Sequence, residues 1–330
     1  MKAYRQYRYG SPDVLHLEDI DLPDPGEGQL QVRVQAVSVN PLDWHLMRAT
    51  PFFVRFSTGL FAPKKKGIGA DFSGVVEKVG PGVTEYAVGD EVFGEGREAF
   101  AELVNVSVKH LAKKPGNMSF SQAAAIPVAG LTALQGLRDH GRLAAGQSVL
   151  INGASGGVGT FAVQIAKAYG AGVTGVCSHR NLELVSSLGA DRVLDYTKED
   201  FLDSGQQYDL VMDVAGSRKV AESLRAVKPG GRLILIGMTR FGLLISNLIR
   251  GPKLARKAGK HFANFTAVAQ SKDLKTLAEL CESGKLIPAI DRSFPFDQLP
   301  NAIKYIETMR ASAKVVVTVG DQGESEKTVN

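Results

Sequence analysis

The sequence predicts an α/β protein in which a doubly wound parallel sheet is joined to a β-rich unit. Three observations predict it. Residues 149–159 read Val-Leu-Ile-Asn-Gly-Ala-Ser-Gly-Gly-Val-Gly, an apolar strand running into a glycine turn, with a helical pattern behind it. From there to residue 237 short apolar runs alternate with helical ones, as in a parallel sheet. Before it, residues 1–120 hold many short strands separated by Gly/Pro turns, the mark of a small barrel-like or sandwich unit.

The elements follow in order. Residues 21–28 (Asp-Leu-Pro-Asp-Pro-Gly-Glu-Gly) form a turn cluster, and 30–39 alternate as a strand half-buried in its first part. Residues 74–79 are a second strand, closed by Gly80-Pro81-Gly82, and 86–93 and 100–106 continue the β pattern. Between two of these strands, residues 47–66 are aromatic (Phe52, Phe53, Phe56, Phe61) and then basic (Lys64, Lys65, Lys66). They read either as a loop or short helix bordering a substrate pocket, or as a surface excursion over packed phenylalanines. Residues 121–125 start a helix capped by Ser119 or Ser121, and 131–143 continue in helices.

Residues 148–151 are the first strand of the parallel sheet, and 160–169 its helix, with Phe161, Ile165 and Ala168 on one face. Strands are expected at 172–177, 191–194, 209–214 and 233–237. Helices are expected at 181–188 and at 218–226, the latter ended by Pro229-Gly230-Gly231. Residues 241–260 are apolar and basic by turns. Such a stretch can lie on a membrane, but packing on its own domain is the expectation. Residues 262–269 read as an edge strand, 273–281 as a helix, and 290–296 and 314–319 as strands around a helix at 299–309. The polar tail 320–330 is expected to fray.

Composition narrows the classes. At 330 residues two domains are expected. Hydrophobic content of 44% and charged content of 22% are ordinary for a globular chain. No apolar run is long enough to span a bilayer. The first ten residues lack a signal core, and Cys177 and Cys281 form no disulfide framework and no Cys-rich zinc site. A cytoplasmic protein is the expectation. Lys+Arg 39 against Asp+Glu 34 leaves +5, weak grounds for nucleic acid but suited to an anionic ligand.

The glycine loop supplies that anion site. Ser155, Gly156, Gly157, Val158 and Gly159 carry the chain from strand to helix, where free N–H groups and the positive helix end meet a pyrophosphate. In NAD-binding folds an acid at the end of the second strand takes the ribose 2′-hydroxyl. Here the strand ends at Cys177 and continues Ser178-His179-Arg180-Asn181, with no acid. Ser178 and Arg180 can bind a 2′-phosphate, and Tyr196 is a further candidate, so NADPH is expected over NADH. Ala215, Gly216, Ile236 and Gly237 end strands, so their backbones should line the cofactor groove.

Residues 146–167 resemble the quinone oxidoreductase/zeta-crystallin signature of the medium-chain dehydrogenase/reductase superfamily. Other segments agree in order: Ser38-Val39-Asn40-Pro41-Leu42-Asp43-Trp44, Gly69-Ala70-Asp71-Phe72-Ser73-Gly74, Gly89-Asp90-Glu91-Val92-Phe93, Ala129-Gly130-Leu131-Thr132-Ala133 and Ala313-Lys314-Val315-Val316-Val317. The resemblance covers nearly the whole chain. It implies a GroES-like catalytic domain (1–122 and 286–330), a Rossmann NADPH-binding domain (123–285), an active site in the cleft, a homodimer, and reduction of quinones or enones.

The resemblance also bears on metal. Zinc-bearing relatives place a cysteine where this chain has Asn40, and Gly-His-Glu where it has Gly69-Ala70-Asp71. Their structural zinc needs four clustered cysteines. Asp43 and His45 alone complete no site, so zinc is not expected, and hydride is expected to pass directly to an electrophilic carbon. By family position Asn40 lies beside the nicotinamide and can donate to the substrate oxygen, and Asp43 orients Asn40 or the cofactor. Thr132 and Lys314 match positions near the nicotinamide and its ribose. Residue by residue, plainer readings stay open: Asn40 as a turn residue, Asp43 as the cap of a helix beginning at Trp44, Thr132 as core, Lys314 as solvent-exposed. Reduction of aldehydes to alcohols and a non-catalytic NADPH-binding role are the alternatives.

Overall fold

The structure is a computed structural model and describes residues 1–237 and 241–319; the tail at 320–330 lies outside the described residues. The chain divides into two compact units, one of residues 1–128, 269–278 and 290–330, the other of 129–268 and 279–289.

The first unit is built on a seven-stranded sheet. Its order is Ile290–Pro295, Lys314–Thr318, Gln29–Val39, Asp71–Val79, Glu91–Glu95 and Leu111–Lys113, with Leu103–Ser107 also pairing Gln29–Val39. All pairs are antiparallel except the first two strands, which run parallel and are linked by the helix Leu299–Glu307. Gln29–Val39 is the central strand. Leu30, Val32 and Val34 enter the main core with Phe72, Phe100 and Val315. From Ala36 onward every residue is buried, because Ala124, Ala125 and Val316 cover the other face. That second layer is why the alternation fades after Gln35.

Three strands are absent from the sequence reading, one of them the short Leu111–Lys113. Lys2–Gln6 and Leu15–Asp19 pair antiparallel as a separate two-stranded sheet. The exposed phenylalanines correct a second reading. Phe52, Phe56 and Phe61 are 61%, 72% and 90% exposed, so they do not pack beneath the excursion. Part of that stretch is the short helix Val54–Thr58.

The second unit carries a six-stranded, wholly parallel sheet. Its order is Arg192–Asp195, Gly172–Cys177, Ser148–Asn152, Tyr208–Asp213, Val227–Leu235 and His261–Asn264. Counted from its first strand this is 3-2-1-4-5-6, the dinucleotide-binding order, whose switch point lies between strands one and four. The helix Gly157–Ala168 begins three residues before the apolar pattern does and buries Phe161 and Ile165.

Pro229-Gly230-Gly231 does not end a helix. The helix stops at Ser223 with a 3₁₀ turn to Ala226, and the triplet lies inside the strand Val227–Leu235. Tyr208 pairs with Val227 and Leu210 with Arg232. The extra residues therefore bulge, and Gly230 supplies the positive φ of 73° that the bulge needs.

The helix Phe241–Lys257 packs on its own unit. Asn247, Gly251 and Ala255 are buried, and Asn247 accepts from the Val220 N–H and donates to the Arg218 carbonyl. A Cβ on Gly251 would come within 2.9 Å of the Phe262 ring, so glycine sets that close approach. Among the described residues no helix is long and apolar enough to cross a membrane.

Candidate active site

In the first unit, strand register brings three distant residues to one edge. Val39 pairs with Val315, and Ser38 with Asp71. Asn40 follows Val39 and Lys314 precedes Val315, so the two side chains meet although 274 positions apart. Asn40 follows its strand in extended conformation as the N-cap of the helix Pro41–Arg48, with Pro41 at the first helical position.

Asp71 is the hub. Its Oδ2 accepts from Ser38 Oγ at 2.6 Å, Asn40 Nδ2 at 2.8 Å and Lys314 Nζ at 3.3 Å. Its Oδ1 accepts from the Val128 N–H at 2.9 Å. Lys314 Nζ also donates to Asn40 Oδ1 at 2.5 Å. An ammonium only donates and a carboxylate only accepts, so the Asn40 amide can face them in one orientation alone. Asn40, Asp71 and Lys314 are all buried. The solvent-exposed reading of Lys314 is therefore corrected: antiparallel pairing carries it inward.

Asp43 sits at the third position of the helix, which begins at Pro41 rather than Trp44. Its Oδ2 accepts from the Asn40 backbone N–H at 2.7 Å. Of the two orienting roles the sequence offers, this geometry serves Asn40. Burial pushes the Asp43 carboxyl up to about 8, against the opposing Asn40 N–H, with the nearby Asp71 charge adding to the rise. Glu95, paired across the sheet from Asp71, is pushed up to about 7 by burial and by that same charge. Among the described residues no group of three or more His, Cys, Asp or Glu side chains could hold a metal ion.

In the second unit, the loop after strand Ser148–Asn152 forms a cradle. Gly153 adopts φ 88°. A Cβ on Gly159 would lie 2.1 Å from the Gly153 carbonyl oxygen, so glycine there sets how closely helix and strand pack. Gly156 is different, because a Cβ there would meet nothing nearer than 3.5 Å. It caps the 12-residue helix Gly157–Ala168 and leaves open space before the helix N-terminus. Val158 lies in the first turn of that helix, and Ser155 Oγ accepts from Asn181 Nδ2 at 2.9 Å, tying the loop to the turn after the second strand.

The switch point is closed at its base. Asn152 and Asp213 end strands one and four, and Asn152 Nδ2 donates to Asp213 Oδ1 at 2.8 Å. The Gly216 N–H donates to the same oxygen at 2.9 Å, and burial raises the Asp213 carboxyl above the usual range. Ala215 and Gly216 follow directly. Ile236 and Gly237 follow strand Val227–Leu235, and a Cβ on Gly237 would fall 1.8 Å from the Val214 carbonyl oxygen. Ser178 and Arg180 lie on the turn after the second strand, Tyr196 is exposed after the third, and Thr132 is half-buried on the helix Pro127–Gln135. The cradle therefore fits a dinucleotide: open space lies at a helix N-terminus, and a serine and an arginine stand where NAD enzymes place an acid.

Comparison with known proteins agrees with this architecture. A family model described as "Alcohol dehydrogenase GroES-like domain" matches residues 26–135, and one described as "Zinc-binding dehydrogenase" matches residues 188–317. The 2-methylene-furan-3-one reductase of Solanum lycopersicum is 36% identical, over 96% of this chain and 79% of that protein. The NADPH-dependent alkenal/one oxidoreductase of Arabidopsis thaliana, chloroplastic, is 35% identical over the same shares. The solved quinone oxidoreductase of Coxiella burnetii superposes with a TM-score of 0.86 at 30% identity, covering 97% of this chain and 99% of that one. The chain belongs to the quinone oxidoreductase branch of the medium-chain dehydrogenase/reductase superfamily, and it is an oxidoreductase.

Asp71 is the residue that sequence reading passed over. It was present only as part of a family motif, and its hub role depends on strand register. Its one local sign is a buried acid at the first position of a strand.

Proposed function

We propose that this protein is an NADPH-dependent reductase of quinones or of the activated C=C bond of α,β-unsaturated carbonyls, working without a metal. The observation that carries the reading is the Lys314 ammonium, buried against Asn40 and Asp71. Zinc-bearing relatives place a cysteine where Asn40 stands and the Gly-His-Glu motif where Gly69-Ala70-Asp71 stands. Here a cation already belonging to the chain lies between them. The names of the tomato and Arabidopsis relatives support the substrate class.

When bound, NADPH supplies the hydride. Residues 123–285 would hold it, with Ser155–Gly159 of the cradle, Ala215, Gly216, Ile236 and Gly237 along the groove, and Ser178, Arg180 and Tyr196 toward the 2′-phosphate. Residues 1–122 and 286–330 would form the catalytic domain. Asn40 has one N–H beyond its bond to Asp71. That N–H is the donor for the substrate oxygen as negative charge develops. Lys314, donating to Oδ1, polarises the amide and strengthens that N–H. Asp43 holds the Asn40 backbone. Water is the proton donor. Thr132 borders the nicotinamide. Cys177 and Cys281 are buried and joined in no disulfide, which suits a cytoplasmic setting. A homodimer accords with the family.

The test follows NADPH oxidation with a naphthoquinone, a short enone, a small enal and a saturated aldehyde, each with and without chelator. Chelator-insensitive turnover of the first three is expected. Chelator-sensitive aldehyde reduction would overturn the metal-free reading, and no turnover on any substrate would favour a binding role.

A further inference from the structure

The third strand of the parallel sheet ends in an acid that the cofactor reading has not used. Asp195 pairs in register with Cys177, the last residue of the second strand, and the Tyr196 N–H donates to the Cys177 carbonyl. Asp195 therefore stands beside the turn Ser178–His179–Arg180, where this fold places the adenosine ribose. Its side chain is 6% exposed. Oδ1 accepts from the Thr197 N–H and hydroxyl at 3.0 and 2.7 Å. Oδ2 is buried and has no hydrogen-bond partner among the described residues.

A buried carboxylate oxygen without a donor is costly. His179 Nδ1 lies 3.5 Å away, on a side chain that is 69% exposed. The Thr197 hydroxyl, above all, holds the Asp195 carboxyl below the usual carboxylate range. Lys198, on the turn after the third strand, also acts on Asp195, and Arg180 follows His179 on the turn after the second. The Cys177 thiol is pushed up to about 11 by burial and by Asp195, so it carries no charge here.

We propose that His179 is a cofactor-discriminating residue, whose charge set against Asp195 decides how strongly the site prefers a 2′-phosphate to a 2′-hydroxyl. As imidazolium, His179 neutralises Asp195 and presents a second donor beside Arg180 to the phosphate. As neutral imidazole, it leaves the Asp195 charge, at the end of the neighbouring third strand, uncompensated beside the turn, and that charge repels the phosphate. Imidazole changes charge between pH 5 and 8. The preference for the phosphorylated cofactor should therefore fall as pH rises. This inference rests on the NADPH reading and deepens it.

The test measures binding of 2′,5′-ADP and 5′-AMP to the full chain by calorimetry at pH 5.5 and 8.0. The 2′-phosphate itself gains charge over this range, so the readout is the difference between wild type and His179→Gln. In wild type the 2′,5′-ADP preference should fall about three- to fivefold more than in the variant, the scale of a partly exposed ion pair. Asp195→Asn should keep the preference high at pH 8.0. Equal pH dependence in wild type and His179→Gln overturns the proposal while leaving NADPH in place. No preference for 2′,5′-ADP at any pH removes the NADPH reading and this inference with it.

Discussion

Lys314 Nζ lies 3.3 Å from Asp71 Oδ2, and both groups are buried. Each covers a charge that would otherwise stand desolvated. Removing one partner of such a pair costs about 3–5 kcal/mol, because the other charge is left uncompensated. Lys314→Met should lose that much in urea denaturation. Asp71→Asn in the Lys314→Met background should cost at least 1 kcal/mol less than Asp71→Asn alone. Strict additivity of the two changes would mean that the charges do not sense one another.

The same pair fixes the Asn40 amide, and the kinetics should show it. Asn40→Ala removes the donor proposed for the substrate oxygen. Losing one such donor typically lowers kcat about 10²–10³-fold. The cradle in the other unit keeps its own residues, so the Kd for NADPH should stay within about twofold of wild type. Steady-state kinetics beside fluorescence titration of NADPH separates the two effects. An unchanged kcat would remove Asn40 from the mechanism.

Asp43 predicts the sign of a pH effect on stability. Its carboxyl sits at about 8 in the folded chain, against about 4 when unfolded. Below about pH 4 both states hold the proton and the term vanishes. Between about 4 and 8 only the folded state holds it, so stability falls as pH rises through that window. Glu95, raised to about 7, acts in the same direction. Urea denaturation from pH 5 to 9 should show this decline, and Asp43→Asn should flatten most of it while leaving the Glu95 part. A wild-type stability that rises across this range contradicts the assignment.

Legibility in the sequence follows contact range. The unit from Ser148 to Ala168 was readable because strand, turn and helix are each specified by their neighbours. Lys2–Gln6 and Leu15–Asp19 were not, since each is only five residues long and is held by its pairing with the other. The candidate site divides the same way. Asn40 before Pro41 is a local signal. Its bonds to Asp71 and Lys314 depend on a register set 31 and 274 positions away. Asp195 went unread because its neighbour His179 lies on another strand's turn, and only the parallel pairing of those strands brings them together.

Two glycines of the cradle should behave oppositely under the same substitution. At Gly159 a Cβ would meet the Gly153 carbonyl oxygen at 2.1 Å and Ala154 backbone at 2.8 Å. Those atoms are main chain and cannot rotate away, so Gly159→Ala must separate helix from strand, at a cost of about 1–3 kcal/mol or more. At Gly156 the backbone is extended, with φ −79° and ψ 173°, which any residue adopts. The nearest atom to a Cβ is 3.5 Å away. Gly156→Ala should therefore fold with stability within about 1 kcal/mol of wild type. The space its methyl enters is the approach to the helix N-terminus, where the pyrophosphate is proposed to sit. NADPH binding should then weaken at least tenfold in Gly156→Ala, with thermal unfolding of the free protein nearly unchanged. Calorimetric titration with NADPH checks this, and unaltered affinity in the folded Gly156→Ala protein would place the pyrophosphate elsewhere.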